Sequence, residues 1–279
     1  MQKYSFKNKT ILVAGATGGI GSSFVSRLSG SDSNVIAVYN KNHPDFQINN
    51  NISLIKADLA KADEWDRVLH FAIQKNGKID VMINCTGVLF PNDFINQSEE
   101  EINEMLNINL LSVILSTQKT MKTMLKQGYG HIINIGSLGG IVPMPYSTVY
   151  CATKFALRGF THSLVQELKG TGVYISLISP GPVNTKMLQR EADYTKTAIA
   201  FLNKALKPDQ VADVIIKTID NPITEVIVPA SLNIPAKTVF IFPRFFSRVF
   251  KLIERYGKWR KNSYTKKQFE LSLQKQEMK

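Results

Sequence analysis

The chain has 279 residues, of which 44% are hydrophobic, so it can bury the core of one large domain or two small ones. This composition excludes disordered, collagen-like and small disulfide-rich proteins. The net charge of +12 is uneven, because residues 231–279 carry 12 Lys and Arg against 3 Asp and Glu. We therefore distinguish a nearly neutral domain, residues 1–230, from a basic and aromatic C-terminal extension, residues 231–279.

The apolar runs are a few residues long, whereas a membrane-spanning helix needs about 20 apolar residues. The basic N-terminus leads into a run that stops at Gly15, which is too short for a signal peptide. Cys85 and Cys151 form no CxxC pair, and the four histidines lack metal-binding spacing. We therefore expect a cytoplasmic protein without a metal site.

Short β-branched runs alternate with longer helical patterns up to about residue 230, which is typical of an α/β fold with a parallel sheet. The runs lack polar alternation, so helices are expected on both faces of the sheet. Ser98 and Glu101 form a capping box before a helical pattern that continues to Gly128, and Pro208 suits the first turn of a later helix. The predicted strands are Thr10–Ala14, Asn34–Tyr39, Ile52–Lys56, Ile79–Ile83, His131–Ile135, Val173–Ile178 and Glu225–Val228.

A glycine-rich turn, Gly15-Ala16-Thr17-Gly18-Gly19-Ile20-Gly21, follows the first strand and precedes a helical pattern. Glycines let backbone N–H groups approach a pyrophosphate, and the positive end of the following helix is aimed at it. The spacing is G-x-x-x-G-x-G rather than G-x-G-x-x-G. Taken alone, the turn fits either nucleotide binding or close helix packing.

Tyr150 and Lys154 are four residues apart at the start of a helical pattern that reaches Lys169, so they share one helix face. We expect the ammonium to lower the pKa of the Tyr150 phenol from its reference of about 10, which would make it a proton donor and acceptor. Ser137 follows a strand at the sheet edge where ligands bind, and its hydroxyl suits a reacting carbonyl oxygen. A solvated helix face and a turn serine are the structural alternatives.

In this order the motifs resemble those of the short-chain dehydrogenase/reductase family over about residues 8–230. The glycine turn is similar to the family's T-G-x-x-x-G-x-G, with Ala14 in place of the threonine. Asn84-Cys85-Thr86-Gly87 resembles N-N-A-G, and residues 180–185 resemble P-G-x-V-x-T. The resemblance implies a Rossmann-like doubly wound sheet of about seven parallel strands and, in many members of the family, a homo-oligomer.

The resemblance also implies a mechanism, hydride transfer between a nicotinamide cofactor and a carbonyl or secondary alcohol. Tyr150 would donate or accept the proton while Ser137 orients and polarises the carbonyl. Lys154 would hold the cofactor ribose and keep the pKa of Tyr150 low. Asn109 would complete the catalytic tetrad by anchoring a water that links Lys154 to solvent.

Cofactor preference depends on the end of the second strand, where an acid about 20 residues beyond the glycines favours NAD. This region is Val38-Tyr39-Asn40-Lys41, without an acid; Asp45 lies beyond Pro44. Lys41 suits the 2′-phosphate of NADP, so NADP(H) is favoured over NAD(H), with ribose binding by Asn40 as the alternative. The residues expected to contact the cofactor are Gly15, Thr17, Gly19, Ile20, Gly21, Asn40, Lys41, Asp58 at the adenine, Leu59, Asn84, Gly87, Tyr150, Lys154, Pro180, Gly181, Val183 and Thr185.

The substrate is expected to be an apolar small-molecule carbonyl or alcohol, because the pocket loops carry Phe90, Phe94, Met144, Tyr146, Met187, Leu188 and Tyr194. A non-catalytic nucleotide-sensing or scaffolding protein is the alternative on the same fold. Nucleic-acid binding by the extension is not favoured, since its bulky residues have helical spacing.

The C-terminal extension contains an amphipathic helical pattern from Phe242 to Tyr256, with basic residues at the complementary positions. Pro243 suits its first turn and Gly257 its end, and residues 261–279 are expected to be mobile. Two alternatives would bury the apolar face. The helix packs on the protein, over the cleft or in a subunit interface, or residues 242–259 bind an anionic membrane surface peripherally.

Overall fold

Seven parallel strands form the centre of the fold in a computed structural model that describes residues 6–277, without the side chains of Phe240 and 267–277. The strand order is β3-β2-β1-β4-β5-β6-β7, so the order reverses between β1 and β4. Ligands of open α/β sheets bind in the crevice at this reversal. The strands are β1 (Thr10–Ala14), β2 (Asn34–Tyr39), β3 (Ile52–Lys56), β4 (Val81–Asn84), β5 (Gly130–Ile135), β6 (Val173–Pro180) and β7 (Glu225–Val228).

Helices cover both faces of the sheet, as predicted from the strands' continuous apolar character. On one face Ile11 and Val13 pack with α1 and α7, and on the other Leu12 packs with α2, α4 and α5. The predicted Rossmann-like fold class is thus confirmed. The helices are α1 (Gly19–Leu28), α2 (Ala62–Asn76), α3 (Glu99–Leu106), α4 (Ser112–Gln127), α5 (Thr148–Glu167), α6 (Lys186–Asp193), α7 (Pro208–Asp220), α8 (Asn233–Ile241) and α9 (Pro243–Glu277).

The predicted helix starts are confirmed, with one addition. The Ser98 hydroxyl accepts a hydrogen bond from the Glu101 amide at 3.2 Å, and Pro208 is the first residue of α7. Between α3 and α4 the chain forms a π-helical turn, Asn107–Leu111, that the apolar pattern did not predict. Such turns shift the following side chains around the helix and are frequent at functional sites.

Three strands differ from their predicted bounds, since β5 begins one residue earlier, β6 ends two residues later and β4 is displaced at both ends. The fourth strand was predicted as Ile79–Ile83, but sheet pairing begins at Val81. The Gln127 side chain, at the end of α4, accepts from the Ile79 amide at 3.0 Å and donates to its carbonyl at 2.9 Å. Because a side chain satisfies both peptide groups, Ile79 is buried without belonging to the strand.

Helix α9 continues for five turns beyond Gly257, so the prediction that Gly257 ends it is wrong. A Cβ at Gly257 would lie 2.5 Å from the carbonyl oxygen of Ala198, so this glycine permits close packing instead of a helix stop. The predicted mobility of residues 261–279 stays a prediction, and Met278 and Lys279 lie outside the described residues. Within residues 6–277 we find no helix with the length and apolarity needed to span a membrane.

Candidate active site

A cavity of about 1590 Å³ lies at the carboxyl ends of the central strands. This volume exceeds the ~300–1,000 Å³ of a typical ligand pocket, so it has room for a dinucleotide together with a substrate. The predicted site residues that line it are Thr17, Gly19, Ile20, Lys41, Gly87, Ser137, Tyr150, Lys154, Pro180, Gly181, Val183 and Thr185. The predicted site residues outside its lining are Gly15, Gly21, Asn40, Asp58, Leu59, Asn84 and Asn109.

The glycine turn brings backbone rather than side chains to the cavity. A Cβ at Gly15, whose φ is +76°, would lie 2.8 Å from the Cys85 carbonyl oxygen, and one at Gly21 would lie 2.2 Å from the Gly15 oxygen. These two glycines therefore pack the turn against β4 and α1. Gly19 allows the Thr185 side chain to lie close to the turn, because a Cβ at position 19 would be 2.5 Å from the Thr185 methyl group.

Helix α1 begins at this turn without a side-chain cap, since Gly18 occupies the N-cap position. Its first N–H groups are therefore free of side-chain partners where Gly19 and Ile20 line the cavity. The Thr86 hydroxyl, also in the lining, is buried without a hydrogen-bond partner among the described residues. Uncapped N–H groups at a positive helix end fit the pyrophosphate of a dinucleotide.

The loop after β2 contains an acid, Asp45, that the sequence argument set aside. Asp45, beyond Pro44, returns to the cavity and accepts a hydrogen bond from the Ser22 hydroxyl at 2.5 Å. It lines the cavity together with Lys41 and His43. The sequence argument set Asp45 aside because its return to the cavity depends on a contact with α1 that spacing along the chain does not reveal.

Two predicted cofactor contacts use their side chains elsewhere. The Asn40 amide donates to the Asp58 carboxylate at 3.4 Å, which joins the loops after β2 and β3. Asn84 donates to Asn134 at 2.9 Å and accepts from the Ser116 hydroxyl at 2.8 Å. Asn84 therefore stabilises the contact of β4 with β5 and α4. Leu59 is buried in the apolar layer beneath α2.

Asn109 lies in the π-helical turn and is fully buried. Its side-chain oxygen accepts from the Val88 amide at 2.8 Å, and its side-chain nitrogen donates to the Val88 carbonyl at 2.9 Å and to the Thr153 hydroxyl at 3.3 Å. Because Thr153 precedes Lys154, Asn109 links α5 to the segment after β4. A Cβ at Gly87 would lie 3.6 Å from the Asn109 oxygen and 3.8 Å from the Lys154 ammonium.

Ser137, Tyr150 and Lys154 lie on the same wall of the cavity, as their spacing predicted. The Lys154 ammonium donates to the Ile135 carbonyl at 3.0 Å and lies 5.8 Å from the centre of the Tyr150 ring. The Ser137 hydroxyl accepts from the Gly139 amide at 3.0 Å. Both Tyr150 and Lys154 are buried.

The pKa of the Tyr150 phenol is raised in the protein, whereas the sequence argument expected it to be lowered. Burial raises the pKa of the phenol well above its ordinary value, a hydrogen bond with Ser137 lowers it, and the Glu191 charge raises it further. Burial lowers the pKa of Lys154 to about 8. Desolvation outweighs the predicted influence of the ammonium, so the phenol keeps its proton and is in the donor form.

Three of the seven residues predicted for the substrate pocket line the cavity, whereas Phe90, Phe94, Tyr146 and Tyr194 do not. Met144, Met187 and Leu188 line it as expected, whereas Phe94 is 60% exposed. The C-terminal extension adds Phe246 and Ile253 from α9 to the lining. One of the two alternatives for the extension, packing over the cleft, is thereby confirmed for this face of α9.

Glu191 on α6 also lines the cavity, and the sequence argument missed it. It is buried, and burial raises the pKa of its carboxyl to about 7. It lies in the charged segment Lys186–Asp193, where a solvated position is the ordinary expectation. The sequence contains no signal that distinguishes Glu191 from its exposed neighbours.

Comparisons with known proteins agree with this architecture. The family model described as short chain dehydrogenase matches residues 9–196. An uncharacterised oxidoreductase of Staphylococcus saprophyticus is 32% identical over 226 residues, which cover 77% of this chain and 92% of the relative. A second, from Staphylococcus epidermidis, is 30% identical over 220 residues, covering 77% of this chain and 93% of the relative.

Solved structures show the same fold. A 3-ketoacyl-(acyl-carrier-protein) reductase from Brucella melitensis, complexed with NADH, superimposes with a TM-score of 0.72 at 23% identity, covering 81% of this chain and 98% of the reductase. The protein ElxO, with NADP bound, gives a TM-score of 0.71 at 24% identity, covering 80% of this chain and 97% of ElxO. The chain is therefore an oxidoreductase that belongs to the short-chain dehydrogenase family.

Proposed function

We propose that this protein transfers a hydride between NADP(H) and a carbonyl or secondary alcohol of an apolar small molecule. The observation that carries the proposal is the shared cavity, in which Ser137, Tyr150 and Lys154 lie on one wall and the uncapped N-terminus of α1 on another. Burial of the Lys154 ammonium without a carboxylate partner costs stability. A functional role of Lys154, together with Ser137 and Tyr150, explains why this cost is tolerated.

Each polar group has a distinct part in this reaction. The bound nicotinamide supplies the hydride in carbonyl reduction and accepts it in alcohol oxidation. Tyr150, which burial keeps protonated, donates its proton to the substrate oxygen, while the Ser137 hydroxyl orients that oxygen. Lys154 binds the cofactor ribose, and its ammonium favours the phenolate that proton transfer leaves behind.

Asn109 acts through position. Both amide hydrogens of Asn109 are engaged with Val88 and Thr153, so it holds α5, and with it Lys154, against the segment after β4, while its oxygen accepts one hydrogen bond and can accept a second. We propose that a water bound between Asn109 and Lys154 returns the proton from solvent. Gly87 leaves the space beside both residues open.

The test of the proposed function is a screen of ketones, aldehydes and secondary alcohols with both nicotinamide cofactors, followed by the absorbance of the reduced nicotinamide. Turnover of apolar members supports it. Tight cofactor binding without turnover of any member would favour the alternative, a nucleotide-sensing or scaffolding protein.

The preference for NADP(H) is proposed from Lys41, which is exposed at the cavity edge. We expect Lys41→Ala to weaken NADPH binding roughly 10-fold, because a charged hydrogen bond to the 2′-phosphate is lost, and to leave NADH unchanged. Isothermal titration with both cofactors measures this. Lys75→Ala, in the exposed last turn of α2, is the matched control.

Asp45 provides the counter-test for this preference. If its carboxylate accepted the ribose hydroxyl of NAD, Asp45→Asn would weaken NADH selectively. Tighter binding of NADH than NADPH by the wild type, together with that loss, would overturn the NADP assignment.

We further propose that the protein works in the cytoplasm and associates peripherally with anionic membranes. The bulky residues of the extension fall into two sets in the structure. Phe246 and Ile253 line the cavity. Phe245, Leu252 and Trp259, which form an exposed stripe along α9, are between 62% and 69% exposed. The same helix also exposes four basic side chains, those of Arg244, Arg248, Lys251 and Arg255. A basic residue near anionic headgroups contributes about 1 kcal/mol.

Flotation with liposomes tests the membrane proposal. We expect the full chain to float with anionic vesicles and not with zwitterionic ones. The triple variant Phe245→Ser, Leu252→Ser, Trp259→Ser should lose flotation and remain folded, because all three side chains are exposed. Equal flotation of the variant, or none by the wild type, would end this proposal and leave a subunit interface as the role of the stripe.

A homo-oligomer is the proposed assembly, as the family resemblance implies. Leu106, Leu111 and Leu125 are exposed along the π-turn and α4, and a second copy would cover them. Size-exclusion chromatography with light scattering gives the oligomeric state.

A further inference from the structure

The substrate cavity contains a carboxyl group that the proposed chemistry does not use. Glu191, on α6, is 7% exposed and lines the same cavity as Ser137 and Tyr150. Its charge raises the pKa of the Tyr150 phenol, so the two groups are near enough to interact. Leu188 of the same helix belongs to an apolar cluster with Ala200 and Phe201, against which Ala192, the residue after Glu191, also packs.

The Glu191 carboxylate has no direct partner in the described part of the chain. We find neither a hydrogen bond nor an ion pair to its oxygens among the described side chains. Burial raises the pKa of Glu191 and Lys261 of α9 lowers it through space, while burial lowers the pKa of Lys261 and the Glu191 and Asp193 charges in turn raise it. The Lys261 ammonium instead donates to the backbone carbonyls of Glu191, at 3.1 Å, and Tyr194, and to the Thr197 hydroxyl at 3.0 Å.

This arrangement is unfavourable for the folded protein taken alone. The carboxyl of a largely buried residue loses much of its hydration, and among the described residues the charge of Lys261 compensates this loss only through space. A leucine at this position would complete the apolar cluster, and Lys261 would keep its three partners because none of them is the Glu191 side chain. Neither apolar packing nor the direct contacts of Lys261 require a carboxylate at position 191. Its position in the cavity near Tyr150 points to a ligand.

We propose that Glu191 is a substrate-recognition residue that accepts a hydrogen bond from a hydroxyl or ammonium group carried by the substrate in addition to its reacting carbonyl or alcohol. Above pH 7 the Glu191 carboxyl is mostly ionised and is then purely an acceptor, so its partner there must be a donor. The apolar walls around it make this contact selective, because a donor bound there has few other acceptors. The inference rests on the proposed function for the identity of the reacting group.

A matched series of ketones tests the specificity. Acetophenones carrying a hydroxymethyl, an aminomethyl or an ethyl group at each ring position differ in the donor but little in size. We expect the wild type to prefer at least one donor-bearing isomer over its ethyl counterpart by roughly 10–100-fold in kcat/KM, the range of a hydrogen bond to a charged group.

Two variants separate the two kinds of donor. Glu191→Leu should abolish the preference for both donors, whereas Glu191→Gln should keep the hydroxyl preference and lose the ammonium preference, because an amide accepts hydrogen bonds but carries no charge. Glu104→Gln, on an exposed position of α3, is the control. A wild type that treats all three ketones alike, or a Glu191→Leu variant with wild-type selectivity, overturns the proposal.

A second measurement does not depend on turnover. The folded pKa of Glu191, about 7, lies above the ordinary 4.5, so the folded protein binds more protons between these values and loses stability as pH rises through this window. Tyr150, Cys151 and Lys261 are the titratable groups that face it from α5 and α9, and Glu191→Leu leaves them in place.

Glu191→Leu should therefore raise the unfolding midpoint more at pH 8 than at pH 5, by about 2–4 °C. Binding of the corresponding alcohols to the wild type with NADP⁺, measured by thermal shift, should be lost in the variant. A lower midpoint at pH 8 would identify Glu191 as a structural partner of Lys261 and overturn the inference. Absence of turnover by every variant, with the donor-dependent binding intact, would contradict the proposed reaction and leave the role of Glu191 standing.

Discussion

Tyr150→Phe is expected to lower kcat for carbonyl reduction by about 10²–10⁴-fold, the usual contribution of a positioned acid or base. The phenylalanine ring keeps the packing of Tyr150 against Val149 and Met105, so the fold and the cavity walls persist. The hydroxyl is the part that is removed, and with it the transferable proton. The affinity for NADPH should stay within about twofold, because the remaining cofactor contacts are unchanged.

Steady-state kinetics and cofactor titration on the same preparation measure both quantities. Tyr129→Phe is the matched control, because Tyr129 is 43% exposed and precedes β5 at the edge of the sheet opposite the cavity. Wild-type turnover by Tyr150→Phe would refute the catalytic assignment. Loss of NADPH binding together with turnover would show that the hydroxyl holds the cofactor instead.

Gly257→Ala, a change in the C-terminal helix α9, is expected to displace residues that line the substrate half of the cavity. The added Cβ would meet the Ala198 carbonyl oxygen at 2.5 Å, which is backbone and must move. The overpacking costs about 1–3 kcal/mol, more than the ~1 kcal/mol that alanine gains over glycine in a helix. Because Ile199 and Ala200 line the cavity next to Ala198, we expect KM for an apolar substrate to rise roughly 10-fold with little change in NADPH affinity.

Gly159→Ala provides the comparison, since Gly159 is exposed on α5 and an added Cβ would meet nothing within 4 Å. It should raise the free energy of unfolding by about 0.5–1 kcal/mol and leave KM unchanged. Identical behaviour of the two variants in kinetics and thermal unfolding would contradict the role assigned to the contact between α9 and Ala198.

The strands could be predicted because each is a β-branched run without polar alternation, and four of the seven have the predicted bounds. Helix starts were equally accessible, since Ser98 and Pro208 act through local chemistry. The end of α9 was not accessible, because glycine at a helix stop and glycine at a close contact have the same sequence signature. Only the position of Ala198 decides which role Gly257 has.

Some residues of the candidate site could likewise be predicted from local sequence, and others could not. Tyr150, Lys154 and Ser137 follow from spacing on one helix and at one strand end, which are short-range relations. Asp45 was set aside and Glu191 was missed, because the places of both depend on contacts between distant segments. The sign of the pKa shift of Tyr150 was also missed, since it depends on burial rather than on the charge four residues away.

The attachment of α9 has a consequence for how the protein is made. Beyond Lys261, the Tyr264 hydroxyl donates to the Asn184 side chain at 3.2 Å and its ring lies 5.4 Å from that of Phe201. These contacts come from a segment that leaves the ribosome after all seven strands, whereas chains fold from the N-terminus as they emerge. The nascent chain therefore has its dinucleotide crevice before its substrate wall, and a prematurely terminated chain would expose that crevice to water.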